Sequence, residues 1–149
     1  MSRYLLPAGK SVVLVDDGDI CSGETGRTTA HLVSGVDDRY FKLEENFGKQ
    51  GAKTMADAHK TAIDTIEHIV KQEKIDCEFE RLDGYLFLSP EHKVDYLKKE
   101  LKSAFEAGLK VEMVDNMPLD TFASGPALRF GKQAQFDPLK VFHFIFNRN

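Results

Sequence analysis

Near the N-terminus four aliphatic residues, Val12 to Val15, follow one another without a polar break and are closed by Asp16, Asp17 and Gly18. A short apolar run with no alternation is the pattern of a strand covered on both faces of a parallel sheet. Just before it, Tyr4, Leu5 and Leu6 read as the last turn of a helix, with Gly9 as its left-handed stop. Ser22 to Gly26 reads as a loop, and Arg27 to Val33 as the opening of a helix whose first amides are free for an anion. The period then lengthens. Asp37 and Asp38 start a short helix carrying Tyr40, Phe41, Leu43 and Phe47 up to Gly48. In the longer helix that follows, Ala52, Met55, Ala56, His59, Ala62, Ile63, Ile66, Ile69 and Val70 fall on one apolar stripe.

Ile75 to Leu82 and Gly84 to Leu88 read as two strands joined by a tight turn at Asp83-Gly84. Ser89 then predicts an N-cap, with Pro90 at the first position of a helix that buries Val94, Leu97, Leu101, Ala104 and Phe105 and stops at Gly108. Val111 to Val114 and Ala127 to Phe130 predict two further strands, and Asp137-Pro138 starts a last helix. Its aromatic positions Phe142, Phe144, Ile145 and Phe146 are expected to be largely uncovered in an isolated monomer.

With 149 residues and 42% hydrophobic content, the chain is long enough for one unit burying roughly 70% of its unfolded surface. Twenty basic and twenty-four acidic residues give a net charge of -4 with neither sign in blocks, which argues against a nucleic-acid partner and for a small molecule or a protein. Cys21 and Cys77 lie far apart with no paired spacing, so two reduced thiols are expected rather than a disulfide or a metal site. No eighteen apolar residues are consecutive and the N-terminus lacks a signal-peptide pattern, so a cytoplasmic protein off the membrane is expected.

The candidate chemistry lies between Ser11 and Leu32. A carboxylate at a strand tip accepts from ribose hydroxyls, while backbone amides and Arg27 meet phosphate, an order suited to a dinucleotide. Asp16 and Asp17 are equally ordinary turn formers, and Thr28-Thr29 after Gly26-Arg27 is equally a helix cap. His59, on an apolar stripe, reads as a hydrogen-bonded core or interface histidine; no nucleophile with a base and an orienting group can be assembled, so catalytic residues stay unassigned. Taken alone, Gln133 to Phe136 reads as a packed sheet edge.

Three segments, AGKSVVLVDDGDICSGETGRTTAHL, AIDTIEHIVKQEKIDCEFERLDGYLFLS and ALRFGKQAQFDPLK, resemble in order and spacing the D-amino-acid-oxidase-like FAD-dependent oxidoreductases, the group that includes glycine oxidase. Within it the likeness is greatest to members with a C-terminal Rieske domain. The resemblance implies a fold of the α/β class: an incomplete Rossmann-like FAD-binding region at 1–36, a helical segment at 37–76, and a small α+β substrate-domain portion at 77–149. It implies FAD contacts from Asp16, Asp17, Ser22, Arg27, Thr28, Thr29, Ala30, His31 and Leu32, with His31 near the flavin ring, and a place for Gln133 to Phe136 on the substrate side. The implied activity is hydride transfer to flavin from an amine or amino-acid-like substrate.

In such proteins a strand, a GxGxxG turn and a helix come first, whereas this sequence opens at what resembles that helix's final turn, the expectation for an N- and C-terminally truncated piece. Losing two or three amide bonds to the pyrophosphate, at about 1.5 to 3 kcal/mol each, and a helix-terminus field of about 0.3 to 1 kcal/mol removes roughly 4 to 9 kcal/mol in all. At about 1.4 kcal/mol per tenfold, a nanomolar site becomes micromolar or weaker. Impaired or absent activity alone is therefore expected. The competing readings are a non-catalytic remnant serving as an interaction module, in which a homodimer covers the unpaired edge, and one subunit of a split flavoenzyme that needs a complementing chain.

Overall fold

A computed structural model describes residues 9, 11, 13, 15, 18, 19, 21–119 and 123–146, the last through its backbone. The fold is mixed α/β, with one four-stranded antiparallel sheet and three helices among these residues. The strands are β1 (His31–Leu32), β2 (Glu80–Phe87), β3 (Val111–Val114) and β4 (Ala127–Gln135). The helices are α1 (Tyr40–Glu73), α2 (Val94–Glu106) and α3 (Pro138–Phe146).

Strand β4 is the centre. β2 runs antiparallel along one side of it, from Glu80 opposite Gln135 to Phe87 opposite Ala127. The other side is shared by two short strands: β3 pairs Val111 with Phe130 through Val114 with Ala127, and β1 pairs His31 with Gln135 and Leu32 with Ala134. The long β2 carries the first departure from the sequence reading. Asp83-Gly84 does not turn the chain but lies in one continuous strand, where Leu82 faces Gln133 and Gly84 faces Phe130. The extra residue is on β4, where Lys132 has φ 64, and the bulge absorbs the Asp-Gly signal that a hairpin would have used.

The short helix and the longer one predicted on either side of Gly48 both form, merged end to end across a break at that glycine (φ 68, ψ 172). A side chain there would sit in the left-handed region, so glycine is what lets the two axes meet. The stripe is realised in part: Ala52, Ala56, Ile63 and Val70 are buried, Ile66 and Ile69 half-buried, and Met55 and Ala62 exposed. α2 begins four residues later than its sequence cap, because Ser89 to His92 forms a turn, with the His92 amide donating to Ser89 O at 3.0 Å, and Lys93 occupies the N-cap. Leu97 and Ala104 are buried as expected and Leu101 is half-buried, but Val94 is exposed and so is Phe105, at 67%. The place on that stripe goes instead to Glu100, which is fully buried.

One core joins α1, α2 and the sheet through Tyr40, Leu43, Ala56, Leu97, Leu128 and Phe130. A smaller one gathers Val70, Ile75 and Cys77, with Phe136, Val141 and Phe144 half-buried against it. The C-terminal aromatics are thus partly covered: α3 folds back under the sheet end, leaving Leu139 and Ile145 outside.

The N-terminal expectations fare differently. Val13 and Val15 are 86% exposed and, like Ser11, carry no strand pairing among the described residues, so the doubly covered parallel strand is not seen there. Gly9 has the positive φ expected of it, at 71, whereas Tyr4 to Leu6 fall outside the described residues. Among the described residues no helix is long and apolar enough to cross a membrane.

Candidate functional site

The segment from Cys21 to Ser34 is not a helix. Glu24–Gly26 makes one 3-10 turn, with the Gly26 amide donating to Gly23 O at 3.2 Å and Arg27 to Glu24 O at 3.0 Å. Gly26 lies so close to Cys21 that a Cβ would come within 2.7 Å of that residue's carbonyl oxygen, which only a glycine avoids. Thr28 then folds its hydroxyl back to accept from the Ala30 amide at 3.1 Å, and Ala30 takes a left-handed φ of 54. The chain leaves this turn as β1 because β4 supplies a ladder, which outcompetes an isolated first helical turn.

A buried relay holds the exit. Gln133 Oε1 accepts from the Ser34 amide at 2.5 Å and from the Ser34 hydroxyl at 3.1 Å, while its Nε2 donates to Gly131 O at 2.8 Å. Tyr40 donates its hydroxyl to Ser34 O at 2.7 Å, and burial followed by the Glu100 charge pushes the Tyr40 phenol up, so it stays a donor. His59 Nδ1 donates to Val33 O at 3.0 Å, the interface role that its stripe position implies.

Between the threonine turn and the β4–α3 junction lies a groove of about 440 Å³. Thr28, Thr29 and Ala30 form one wall with Thr25 and Gly26; Glu78, Glu80, Gln135 and Asp137 form the other. The polar wall is acidic. Glu80 accepts from Gln135 Nε2 at 3.1 Å, and Glu78 accepts from Lys140 at 2.5 Å, a pairing that raises the lysine's pKa. Asp137 caps α3 as predicted, accepting from the Leu139 and Lys140 amides at 2.9 and 3.2 Å. That cap occupies the amides an anion would otherwise use.

Of the nine residues predicted to contact the cofactor, the structure brings Thr28, Thr29 and Ala30 into this groove. His31 and Leu32 continue from it into β1, with His31 exposed and Leu32 half-buried. Ser22 lies on the exposed turn before it, its amide donating to Asp19 O at 2.9 Å. Arg27 is 74% exposed and paired with Glu24 at 3.8 Å. Asp16 and Asp17 fall outside the described residues. Sequence reasoning missed Glu78, Glu80 and Asp137 as groove residues; Asp137 was legible only as a cap, and the glutamates only as positions within the strand expected over Ile75 to Leu82. Gln135 and Phe136 do line the groove, whereas Gln133 is buried in the relay to Ser34, and Gln133 to Gln135 belong to the central strand rather than to a sheet edge. Both cysteines are free, and the described residues hold no cluster of metal-ligating side chains.

The family model described as FAD dependent oxidoreductase, abbreviated DAO, matches residues 2–148. This chain belongs to the DAO family. Among its relatives is YhfW of Bacillus subtilis (strain 168), named as a Rieske 2Fe-2S iron-sulfur protein, which is 32% identical over 136 residues. The match takes in 91% of this chain and 26% of YhfW, so the DAO chain spans about a quarter of that relative's length. No solved structure matches.

The groove tests what part of FAD these residues fit. Glu78, Glu80 and Asp137 face it, Lys140 is already paired, and the α3 amides are capped, so a pyrophosphate would meet like charge while the lysine and the helix amides are engaged elsewhere. An uncharged hydrogen-bonding edge or a cationic amine meets no such opposition. The residues of this groove therefore do not fit the phosphate half of the cofactor.

Proposed function

We propose that this DAO-family chain supplies the ring-side and substrate-side wall of an FAD-dependent oxidoreductase acting on an amine or amino-acid-like substrate. The observation that carries this reading is the acidic groove between the threonine turn and Asp137, which favours a cationic amine and rejects phosphate. The chemistry a flavin supplies when bound is acceptance of a hydride from a substrate carbon. The contribution of this chain is positional and electrostatic: Thr28 to Ala30 present a hydroxyl-bearing turn that leads into β1, Gln133 holds the exit of β1 at Ser34, and Glu80 and Asp137 attract the ammonium form of the substrate. The ribose and pyrophosphate contacts belong, in this reading, to Asp16 and Asp17 and to elements beyond this groove. On its own the chain holds FAD weakly and turns over little or no substrate; a cytoplasmic setting follows the same reading.

Titration of the purified chain with FAD and with riboflavin, followed by flavin fluorescence, tests it. The expected result is weak binding of both with similar affinity, because the phosphates gain nothing in this groove, and a further loss for both in Thr29→Trp. FAD binding at least about tenfold tighter than riboflavin overturns it. A second reading, an interaction module without flavin, draws on the outward-facing Phe47, Phe105 and Ile145; no response to either flavin together with self-association in sedimentation would favour it.

A further inference from the structure

A cavity of about 250 Å³ lies between α1, the turn from α2 into β3, and the bulge of β4. It shares no lining residue with the acidic groove, and its charge is the opposite: Lys60, Arg81, Lys110 and Lys132 line it against one carboxylate, Asp64. That carboxylate is already engaged. Arg81 Nη2 donates to Asp64 Oδ1 at 2.5 Å and to Glu67 Oε2 at 2.6 Å, and its Nε donates to Glu67 Oε2 at 2.9 Å, so the arginine and the two acids answer one another. Lys60 pairs with Asp57 at 3.5 Å and reaches Gly108 O at the same distance. Lys110 and Lys132 meet no carboxylate within ion-pair distance among the described residues; Asp83 and Glu112, which share a smaller pocket with Lys110, are both engaged by Arg129.

Two features of the backbone bring those lysines to one place. In an unbroken strand Gly131 and Gln133 would face one way and Lys132 the other; the bulge lets all three line the cavity. It does so with Lys132 at φ 64, a left-handed conformation rare for a residue with a side chain, and outliers of that kind cluster at ligand sites. Arg81 Nη1 holds it there, donating to Lys132 O at 2.8 Å. Beside it the Lys110 stem lies across Gly131, whose amide donates to Lys110 O at 2.8 Å. A Cβ at position 131 would come within 2.9 Å of Lys110 Cδ, so glycine is what lets that stem settle. Lys60, Lys110 and Lys132 are all exposed, which leaves their ammonium groups open to a ligand.

Water enters an open polar cavity of this size, so charge rather than dryness decides what displaces it. A cation meets the ammonium groups of Lys60, Lys110 and Lys132, whereas an anion of two charges is drawn to a pair of lysines that have no acid of their own. We propose that this cavity binds a phosphoryl group in its doubly charged form, a phosphate monoester or free phosphate, held between Lys110 and Lys132 with Lys60 adding to the positive wall. The site stands apart from the flavin reading, because no residue of the acidic groove takes part in it.

NMR titration of the full chain with methyl phosphate at fixed ionic strength tests it, with dimethyl phosphate as the singly charged counterpart and inorganic phosphate as the free ion. At about pH 7.5, where a monoester carries close to two charges, methyl phosphate is expected to shift the Lys110, Gly131 and Lys132 amides saturably at low millimolar concentration or below. Dimethyl phosphate is expected to bind at least about fivefold more weakly. Inorganic phosphate as tight as methyl phosphate supports the proposal with the free ion as the source, and weaker inorganic phosphate supports it with the ester. Lys110→Gln and Lys132→Gln are each expected to weaken binding about fivefold, whereas Lys98→Gln, at an exposed lysine of α2 paired with Asp95, leaves it unchanged. Gly131→Ala removes no charge but displaces the Lys110 stem, and is expected to weaken binding about threefold. Should that variant not fold, the lysine variants carry the test. No saturable shift with methyl phosphate, equal affinity for dimethyl phosphate, full binding in a folded Gly131→Ala, or as great a loss in Lys98→Gln as in Lys110→Gln and Lys132→Gln overturns the proposal.

Discussion

The two ends of β4 are held by different forces. From Ala127 to Phe130 the strand is fixed by burial: Leu128 is wholly inside, β3 lies alongside, and α2 closes the layer with Leu97 and Ala104. From Gly131 to Gln135 the strand is set by a bulge, by exposed Glu78 and Glu80 nearby and by the Gln133 relay to Ser34 and Tyr40. Non-directional packing tolerates small shifts, whereas a hydrogen-bond relay either closes or leaves polar groups stranded. The candidate groove stands on the second end, where precision of backbone position matters more than stability.

The sharpest way to break the contrast is at the packed end. Leu128→Ala is expected to cost about 2 to 5 kcal/mol in urea unfolding, the range for a buried leucine that leaves a cavity. At the relay end, Gln133→Leu keeps the volume but strands the Ser34 amide and hydroxyl, with an expected cost of about 1 to 3 kcal/mol. Its signature is local: hydrogen exchange should accelerate at Leu32 and Ser34 and stay unchanged at Val111 to Val114. Equal acceleration at both ends would remove the distinction.

Two glutamates sharpen it with pH. Burial raises the Glu100 carboxyl above its ordinary value of 4.5, so the folded state holds that proton more tightly than the unfolded chain. Wild type should therefore lose stability relative to Glu100→Gln as pH rises from about 4.5 through the raised value. Glu67 behaves oppositely: its hydrogen bonds from Lys71 and then Arg81 hold its carboxyl below 4.5, so its contribution is present above that pH and is lost as pH falls through the lowered value. Paired thermal melts of each variant against wild type across the acid range read both signs. The smallest effect belongs to the surface: Arg27→Ala, at a 74% exposed side chain with one 3.8 Å ion pair, should leave the urea midpoint unchanged.

What could be read in advance follows the same division. The long α1 stripe, the break at Gly48, the β3 and β4 strands and the Asp137 cap are local patterns, each set by spacing or by one residue's conformational preference, and each is present. The misreadings share one cause. Asp83-Gly84 carries a turn signal, but a bulge on the neighbouring strand lets it stay extended; Thr28-Thr29 carries a cap signal, but β4 offers Leu32 a ladder; Ser89-Pro90 carries a cap signal, but the chain turns once before α2 begins. In each case the deciding partner lies far along the chain or beyond the local motif.

Glu100 shows the limit most plainly. It sits at the fourth position of the Leu97 to Ala104 stripe, where periodicity places an apolar residue and its charge marks it for solvent, yet it is buried as the acceptor for the first turn of α1. By itself, the sequence determined the elements whose information is local, the family they belong to, and the threonine turn as the place to look. Only the tertiary structure decided that this turn faces carboxylates rather than cations, that Gln133 ties it down, and that an acid closes α1, because charge environment and hydrogen-bond closure depend on which distant residues are brought within a few ångströms.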